Sequence, residues 1–539
     1  MRILLIGNIA NNAYHDAKLL RRAGVDCDVV CADYYHVMGC PEWEDADFSQ
    51  AVLDAFRPDW NGLDLHGFAR PGWFAQGPVD LCLDYLLARR RGESGRAARL
   101  WLRLGLLNRT QRARSPTDRA WMLLRRARFF LWRVQRLLLS PTRVGEKADE
   151  WRSQAGRGGA ARRLGGVAGR VAVGCSRLAS WLVRRLAQGP AARAATRDFD
   201  ARVQQLAARF AREFPHRADR LEAAELWAYR YHWERWRALF AHYDFVQAFA
   251  ADVAIPLIAD VEYVGFEHGT LRDLPQAPTL QGRLIALGYR CAAHTFVTNL
   301  DCIDNARRIT EGRYTFINHP YDETAQPSPG AVAGLRETLE SELDASLLVF
   351  HPTRHDWVAG RGYADKANDA LFEAVRRLRE QGVRVGLVCC AWGNNVAESR
   401  QWFDSHGLAA HVAWREPMGM VEFRRYAAAC EVVADQFKLG AFGGVTFKSL
   451  AVGGVLCTFL DEAQAAGIFA EPPPVLNCRS PEEIVAQLAA IAGAPERLAG
   501  LRARSRAWIE RYHRGADLAA TQLRVFRALL DSRAGAARS

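Results

Sequence analysis

The sequence predicts an α/β protein built on two sheets of parallel strands. Three features carry that reading. The chain opens on a strand–helix–strand pattern, and a second series of alternating strand and helix patterns begins after residue 330. Between them lies a turn-rich stretch, Asn318 to Gly330, with Pro320, Pro327 and Pro329. Parallel strands covered by helices on both faces read as short apolar runs, and that is the pattern in each half. Each half is therefore expected to be Rossmann-like.

In chain order, Ile3–Ile6 reads as a strand, Asn8 to Asn12 as a turn, and Ala13–Arg22 as a helix that Gly24 ends. Asp28–Ala32 is the next strand, and the turn before the helix lacks a GxGxxG pattern, which argues against a dinucleotide site there. Helical patterns at Phe199–Phe214 and Leu221–His242 precede apolar runs at Phe245–Ala248, Ile255–Ile258 and Thr295–Thr298, all read as strands. In the second series, strands at Leu347–Phe350, Val383–Cys389, Val432–Ala434 and Val455–Thr458 alternate with helices at Asn368–Gln381, Glu422–Ala429, Val445–Val452 and Pro481–Ile491. One long helix, Leu498–Leu530, closes the chain. The expected domains are residues 1–88 with 195–318, a linker at 319–330, a second domain at 331–497 and a closing helix at 498–539.

The composition fits this size. With 539 residues, 49% hydrophobic and 24% charged, the chain is neither a disordered tail nor a small disulfide scaffold. Twelve cysteines are scattered without a CxxC pair, so buried free thiols in a reducing compartment are expected. Met1–Asn8 passes directly into a strand pattern without a cleavable leader, and no 18-residue apolar run occurs. The expected location is cytoplasmic.

The net charge of +12 is unevenly spread. Residues 89–194 carry a surplus of 21 positive charges, nearly all arginine, while only five lysines occur in the whole chain. On a helical projection of Trp121–Leu139, Arg125, Arg126, Arg128, Arg133 and Arg136 share one side with Trp132, and an apolar arc fills the other. This segment reads as a basic helical insertion in the first domain. A solvated face packed on the body would explain it, as would an anionic polysaccharide or a protein partner. A helix lying on an anionic membrane surface fits the aromatic edges best, with those five arginines and Trp132 as its contacts. Nucleic acid is disfavoured, because the charge is confined to the insertion and no RNA or DNA module is visible.

Several motifs of the second half stand in a fixed order. Phe350-His351-Pro352-Thr353-Arg354 is followed by Lys366 ahead of a helix, then Asp435-Gln436-Phe437, Gly440-Ala441-Phe442-Gly443 and Ala451-Val452-Gly453-Gly454. This series resembles the donor domain of GT-B glycosyltransferases and is most similar to the retaining family 4 type. Asn318-His319-Pro320-Tyr321-Asp322 resembles that family's interdomain linker, and Pro41-Glu42-Trp43-Glu44 and His268-Gly269-Thr270 resemble parts of its first domain. The resemblance implies two Rossmann-like domains facing a cleft, a nucleotide-sugar donor, and no bound metal or cofactor.

By that resemblance Arg354 and Lys366 bind the donor diphosphate, one through a planar fork and the other as a point charge. Gly443 and Gly444, ahead of a helix, are placed to let backbone N–H groups approach an anion. Trp414 and Arg415 fall where the family contacts the nucleotide base. His268 falls where a histidine touches the donor sugar, although a lone histidine is often a buried structural one. Asn8, Asn12, Thr270 and Arg272 are expected at the acceptor or the cleft, and His351, His355 and Asp356 are weaker cleft candidates. In two places where the family carries acids, this chain has Gly440 and Lys448. Lysine has three donors and no acceptor, so Lys448 cannot copy a hydrogen bond from ribose hydroxyls; either the donor is held differently, with Lys448 on a phosphate or sugar carboxylate, or catalysis is lost.

The expected function is transfer of a sugar from a nucleotide-sugar to a hydroxyl of a cell-envelope glycan or lipid-linked acceptor, with retention, by an enzyme peripheral to the inner face of the membrane. The alternative is a catalytically inactive GT-B-like scaffold or sugar-binding subunit.

Overall fold

The computed structural model describes residues 1–108, 190–358 and 365–536, apart from 53 and 57. Two sheets, each entirely parallel, organise it. The first has seven strands: β1 (Arg2–Ile6), β2 (Asp26–Ala32), β3 (Phe74–Gly77), β4 (Phe245–Phe249), β5 (Val264–Phe266), β6 (His294–Val297) and β7 (Tyr314–Phe316), in the order β3-β2-β1-β4-β5-β6-β7. The second has six: β8 (Leu347–His351), β9 (Val385–Cys390), β10 (Val412–Arg415), β11 (Val432–Ala434), β12 (Val455–Thr458) and β13 (Leu476–Asn477), in the order β10-β9-β8-β11-β12-β13. These are two Rossmann-like domains facing a cleft, as expected from the sequence.

The strands form where the apolar runs predict them, because every residue from Ile3 to Ile6 and from Leu347 to His351 is buried. Ile3 pairs with Cys27 on one side and Phe245 on the other, and Phe350 with Val388 and Val433. In each sheet the strand order reverses once, between β1 and β4 and between β8 and β11. In open parallel sheets a crevice opens at such a point, beyond the carboxyl ends of the strands.

Three expectations are corrected. Ile255–Ile258 is not a strand: Ala254–Ala259 is a short helix that follows a 3-10 turn, and the strand is Val264–Phe266. A four-residue apolar run suits either state, and Pro256 costs little near a helix start, where N–H groups lack intrahelical partners. The pattern Leu221–His242 divides into a 3-10 segment, Ala223–Tyr229, and a helix, Arg230–Phe240. The closing helix is two helices, Arg497–Tyr512 and Gly515–Ala536. At the break Asn318 donates to the Tyr512 carbonyl, and the Gly515 N–H donates to Glu323 at 3.1 Å. The second of these helices returns to the first domain, where Phe526 packs against Phe245 and Phe296.

Residues 94–104 fall within the span read as the insertion, yet they belong to a helix, Ser94–Asn108, that buries Ala97, Leu100 and Leu104 in the first domain's core. A chain of contacts closes the two domains. Helix Pro41–Asp45 lies against helix Met420–Ala429, and Arg425 binds Asp47 at 3.0 Å. Phe48 fits over Gly419, where a Cβ would meet its ring at 2.7 Å. The eleven cysteines among the described residues are free thiols, ten of them buried.

Candidate functional site

The first wall of the cleft grows from the ends of β1 and β5. Beyond β1 the chain turns through Gly7 at φ +87° into a loop that Asn8 holds together. The Asn8 amide donates to Asn11 at 2.8 Å and to the Gly39 carbonyl at 3.0 Å, and its oxygen accepts the Tyr14 N–H at 2.9 Å. Asn8 is thus committed to the loop. Asn12 instead reaches across the sheet edge, its amide nitrogen 3.1 Å from the His268 ring nitrogens.

His268 follows β5 on a turn through Gly269, whose φ is +77°. A Cβ at Gly269 would lie 2.3 Å from Nη1 of Arg272, so only glycine lets that guanidinium pass. Arg272 is held by Asp301 at 3.0 Å and by Asn299 at 3.2 Å. Burial, then Arg272 and Lys448, lower the His268 pKa to about 4, which leaves a neutral imidazole able to donate one hydrogen bond and accept one. Its ring stands edge-on to His319 of the linker at 5.3 Å. Thr270 is buried beside it.

The second wall grows from the ends of β8 and β11. Arg354 lies beyond β8 and pairs with Asp356 at 3.0 Å. Lys366 is anchored through its backbone: its N–H donates to the Asp356 carbonyl at 2.8 Å, and its carbonyl accepts from Phe437 at 3.1 Å. Burial lowers the Lys366 pKa; Asp435 opposes the shift, and Arg354 and Arg272 add to it. Cations from both walls therefore lie in one another's field. Asp435, buried after β11, accepts from Thr353 at 2.7 Å and Thr446 at 3.4 Å. Gly443 caps the helix Gly444–Ala451, and a Cβ at Gly444 would meet nothing within 4 Å, so this helix start is open. Burial raises the Asp435 pKa.

Lys448 does not stand waiting for a ligand anion. Its ammonium lies 3.1 and 3.3 Å from the two carboxylate oxygens of Glu44, in the opposite domain. Glu44 also meets His15 at 2.9 Å and Asn11 at 3.4 Å. Burial alone would raise the Glu44 pKa, but Lys448 and His15 outweigh it and hold the carboxyl well below its usual range. In this structure the partner of Lys448 is Glu44.

No protein-family model matches the chain, and no curated protein matches it. Solved structures similar to it include HepE of Anabaena in complex with UDP and glucose, 14% identical over 55% of this chain and 81% of its own, with a TM-score of 0.46. Sucrose-phosphate synthase of Thermosynechococcus elongatus is 14% identical over 56% of this chain and 78% of its own, with a TM-score of 0.44. TarM of S. aureus is 11% identical over 52% of this chain and 55% of its own, with a TM-score of 0.40.

Other expected residues are committed elsewhere. Arg415, at the end of edge strand β10, binds Glu342 and donates to the Tyr426 hydroxyl at 3.1 Å. The Trp414 ring packs 5.1 Å from His355, under the guanidinium of Arg400. His351 and His355 are fully buried. His351 bridges the Ala434 carbonyl and Asn368 at 2.9 and 2.8 Å, and His355 meets Ser399 at 2.9 Å. They support the donor-side wall and do not line it. Arg125, Arg126, Arg128, Trp132, Arg133 and Arg136 lie outside the described residues. Among the described residues, no group of three His, Cys, Asp or Glu side chains is placed to hold a metal, and no helix is long and apolar enough to cross a membrane.

Sequence reasoning did not find Asp252. It follows β4 at the first sheet's reversal point, and its Oδ2 would lie 2.2 Å from a Cβ on Gly7. Burial raises its pKa to about 6. No motif marks it, because its position depends on β4 lying next to β1, a neighbour distant in sequence.

Proposed function

We propose that this protein is a sugar-nucleotide-dependent glycosyltransferase. One observation supports the reading most: Arg354 of the second domain and Arg272 of the first both disfavour the charge on Lys366, so positive charge from the two domains falls on one cleft. A diphosphate would relieve that repulsion, and the open start of helix Gly444–Ala451 adds backbone N–H groups to the same cleft. In transfer, the bond from the anomeric carbon to the diphosphate breaks and a bond to the acceptor oxygen forms. The acceptor proton passes to the departing diphosphate, whose charge the three cations stabilise. Neutral His268, oriented by Asn12, is suited to hydrogen-bond sugar hydroxyls without competing for the phosphate charge.

The acceptor belongs on the first domain, near Asn12, His268, Thr270 and Asp252. In this reading it is a hydroxyl of a cell-envelope glycan or lipid-linked saccharide, the outcome is retention, and no cofactor beyond the donor is required. The arginine-rich segment would hold the enzyme against the inner face of an anionic membrane; the support is its sequence pattern. A non-catalytic sugar-nucleotide-binding subunit is the second reading, favoured by the engagement of Lys448 with Glu44.

Calorimetry with nucleoside diphosphates and their sugars tests the proposal. Saturable binding that Arg354→Ala weakens at least tenfold supports it, and absence of binding to the wild type overturns it. Nucleotide release from the bound donor then separates the enzyme from the binding subunit.

A further inference from the structure

The second domain carries another concentration of positive charge, at the opposite ends of its strands. A groove of about 650 Å³ lies beside the start of β8 and the approach to β11. Its floor is apolar, from Leu347, Ile491 and Leu498, and Arg336, Arg502 and Arg506 line it with one acid, Glu431. That acid is already engaged: Glu431 pairs with Arg336 and accepts the Leu348 N–H at 2.7 Å. Arg336 is further neutralised by Glu340 at 2.8 Å.

Arg502 and Arg506 form no ion pair with a carboxylate among the described residues. Arg502 spends one nitrogen on the Cys430 carbonyl at 2.9 Å, while its Nε is buried without a hydrogen-bond partner. Arg506 passes over Gly453, where a Cβ would lie 2.2 Å from its Nη1, and among the described residues it makes no hydrogen bond or ion pair. Burial disfavours the Arg502 charge, and Arg336 and Arg506 repel it; only Glu431 among the acids opposes them. Guanidinium groups clustered with too few carboxylates offer planar forks of N–H donors to the several accepting oxygens of a tetrahedral phosphate group.

We infer that this groove is a second anion site, separate from the cleft, which takes a phosphate ester: the phosphate on Arg502 and Arg506, and the apolar portion of the ligand over Leu347 and Leu498. A soluble organic phosphate and a phospholipid headgroup share this chemistry.

The test uses full-length protein carrying Arg354→Ala and Lys366→Ala, so that the cleft cannot contribute. Calorimetry with inorganic pyrophosphate should show saturable binding, weakened at least tenfold by adding Arg502→Gln and Arg506→Gln. Arg506→Gln alone, at an exposed side chain without protein partners, should weaken it measurably without affecting the fold. Sedimentation with phosphatidylglycerol vesicles separates the sources. In that arm Arg125, Arg126, Arg128, Arg133 and Arg136 are also changed to Gln, so that the arginine-rich segment does not hold the vesicle. Loss of vesicle binding on adding Arg506→Gln assigns a lipid headgroup, and loss confined to pyrophosphate assigns a soluble ligand. No saturable binding in the cleft-disabled protein, or equal affinity in the Arg502 and Arg506 variants, overturns the inference. Neither result bears on nucleotide binding by the wild type.

Discussion

Glu44 and Lys448 form an ion pair across the domain boundary, with the carboxylate almost fully buried and the ammonium partly exposed. Removing one partner of a buried pair costs about 3–5 kcal/mol, because the other charge remains without compensation. Lys448→Glu goes further, setting two carboxylates face to face where the domains meet. We expect this variant to lose donor binding through loss of the closed cleft. The double exchange Glu44→Lys with Lys448→Glu should recover part of it. Calorimetry that finds undiminished nucleotide-sugar binding in Lys448→Glu would show that closure does not depend on the pair.

Arg354 and His268 should fail differently. Arg354→Ala removes a charge-assisted contact to phosphate worth about 1.5–3 kcal/mol, so nucleoside diphosphate affinity should fall roughly ten- to a hundredfold. His268→Ala should leave diphosphate affinity nearly unchanged and cut turnover, because a neutral imidazole beside Asn12 meets the sugar and not the phosphate. Equal loss of diphosphate affinity in both variants would contradict this division.

Much of the fold was legible because its strands are fully buried runs that need no long-range information: Ile3–Ile6, Leu347–Phe350 and Val432–Ala434 appear as read. Ile255–Ile258 was misread because four apolar residues do not distinguish a buried strand from one turn of buried helix. The break at His513 was missed because Arg497–Tyr512 and Gly515–Ala536 are both good helical patterns. Only contacts with Asn318 and Glu323, nearly two hundred residues away, mark where one stops. The site shows the same division. Arg354 and His268 are visible as motif residues after strands and Lys366 ahead of a helix, whereas the Lys448 partner lies 404 positions away and no local pattern could supply it. His351 and His355 look like cleft residues in sequence, but both face inward.

Buried neutral histidines predict acid sensitivity. Burial lowers the pKa of His268, His294 and His351 to about 4 and that of His355 to about 3. The unfolded chain titrates these groups near 6.5 and so binds more protons between about pH 6.5 and 4. Their contribution to stability is complete above that window and declines as the pH falls through it. Urea midpoints should therefore drop from pH 7 to pH 4.5, and His294→Asn should shallow the slope. A slope that His294→Asn leaves unchanged would contradict the buried neutral state.

Asp16 predicts a change of opposite sign. Its carboxyl is fully buried and accepts from Gln247 at 2.6 Å and from Gln522, on the returning C-terminal helix, at 2.5 Å. Burial raises its pKa to about 7 against these two donors. The folded protein thus holds a proton here that the unfolded chain releases near 3.8. The stability this group supplies is complete below that value and is lost as the pH rises through 7. Both glutamines keep an unpartnered buried carbonyl oxygen, so a proton on Asp16 gains an acceptor once either amide turns over. Asn in place of Asp16 carries such a donor permanently. Asp16→Asn should match the wild type near pH 3.8 and exceed it increasingly up to about pH 7, by about 1.4 kcal/mol per pH unit across that window, with no further gain above it. Truncation before Gly515 removes Gln522 and Phe526 together, and should destabilise the first domain more at pH 8 than at pH 5. If Asp16→Asn and the wild type differ by a constant amount at every pH, the carboxyl is already ionised when folded, and the buried proton assigned to it does not exist.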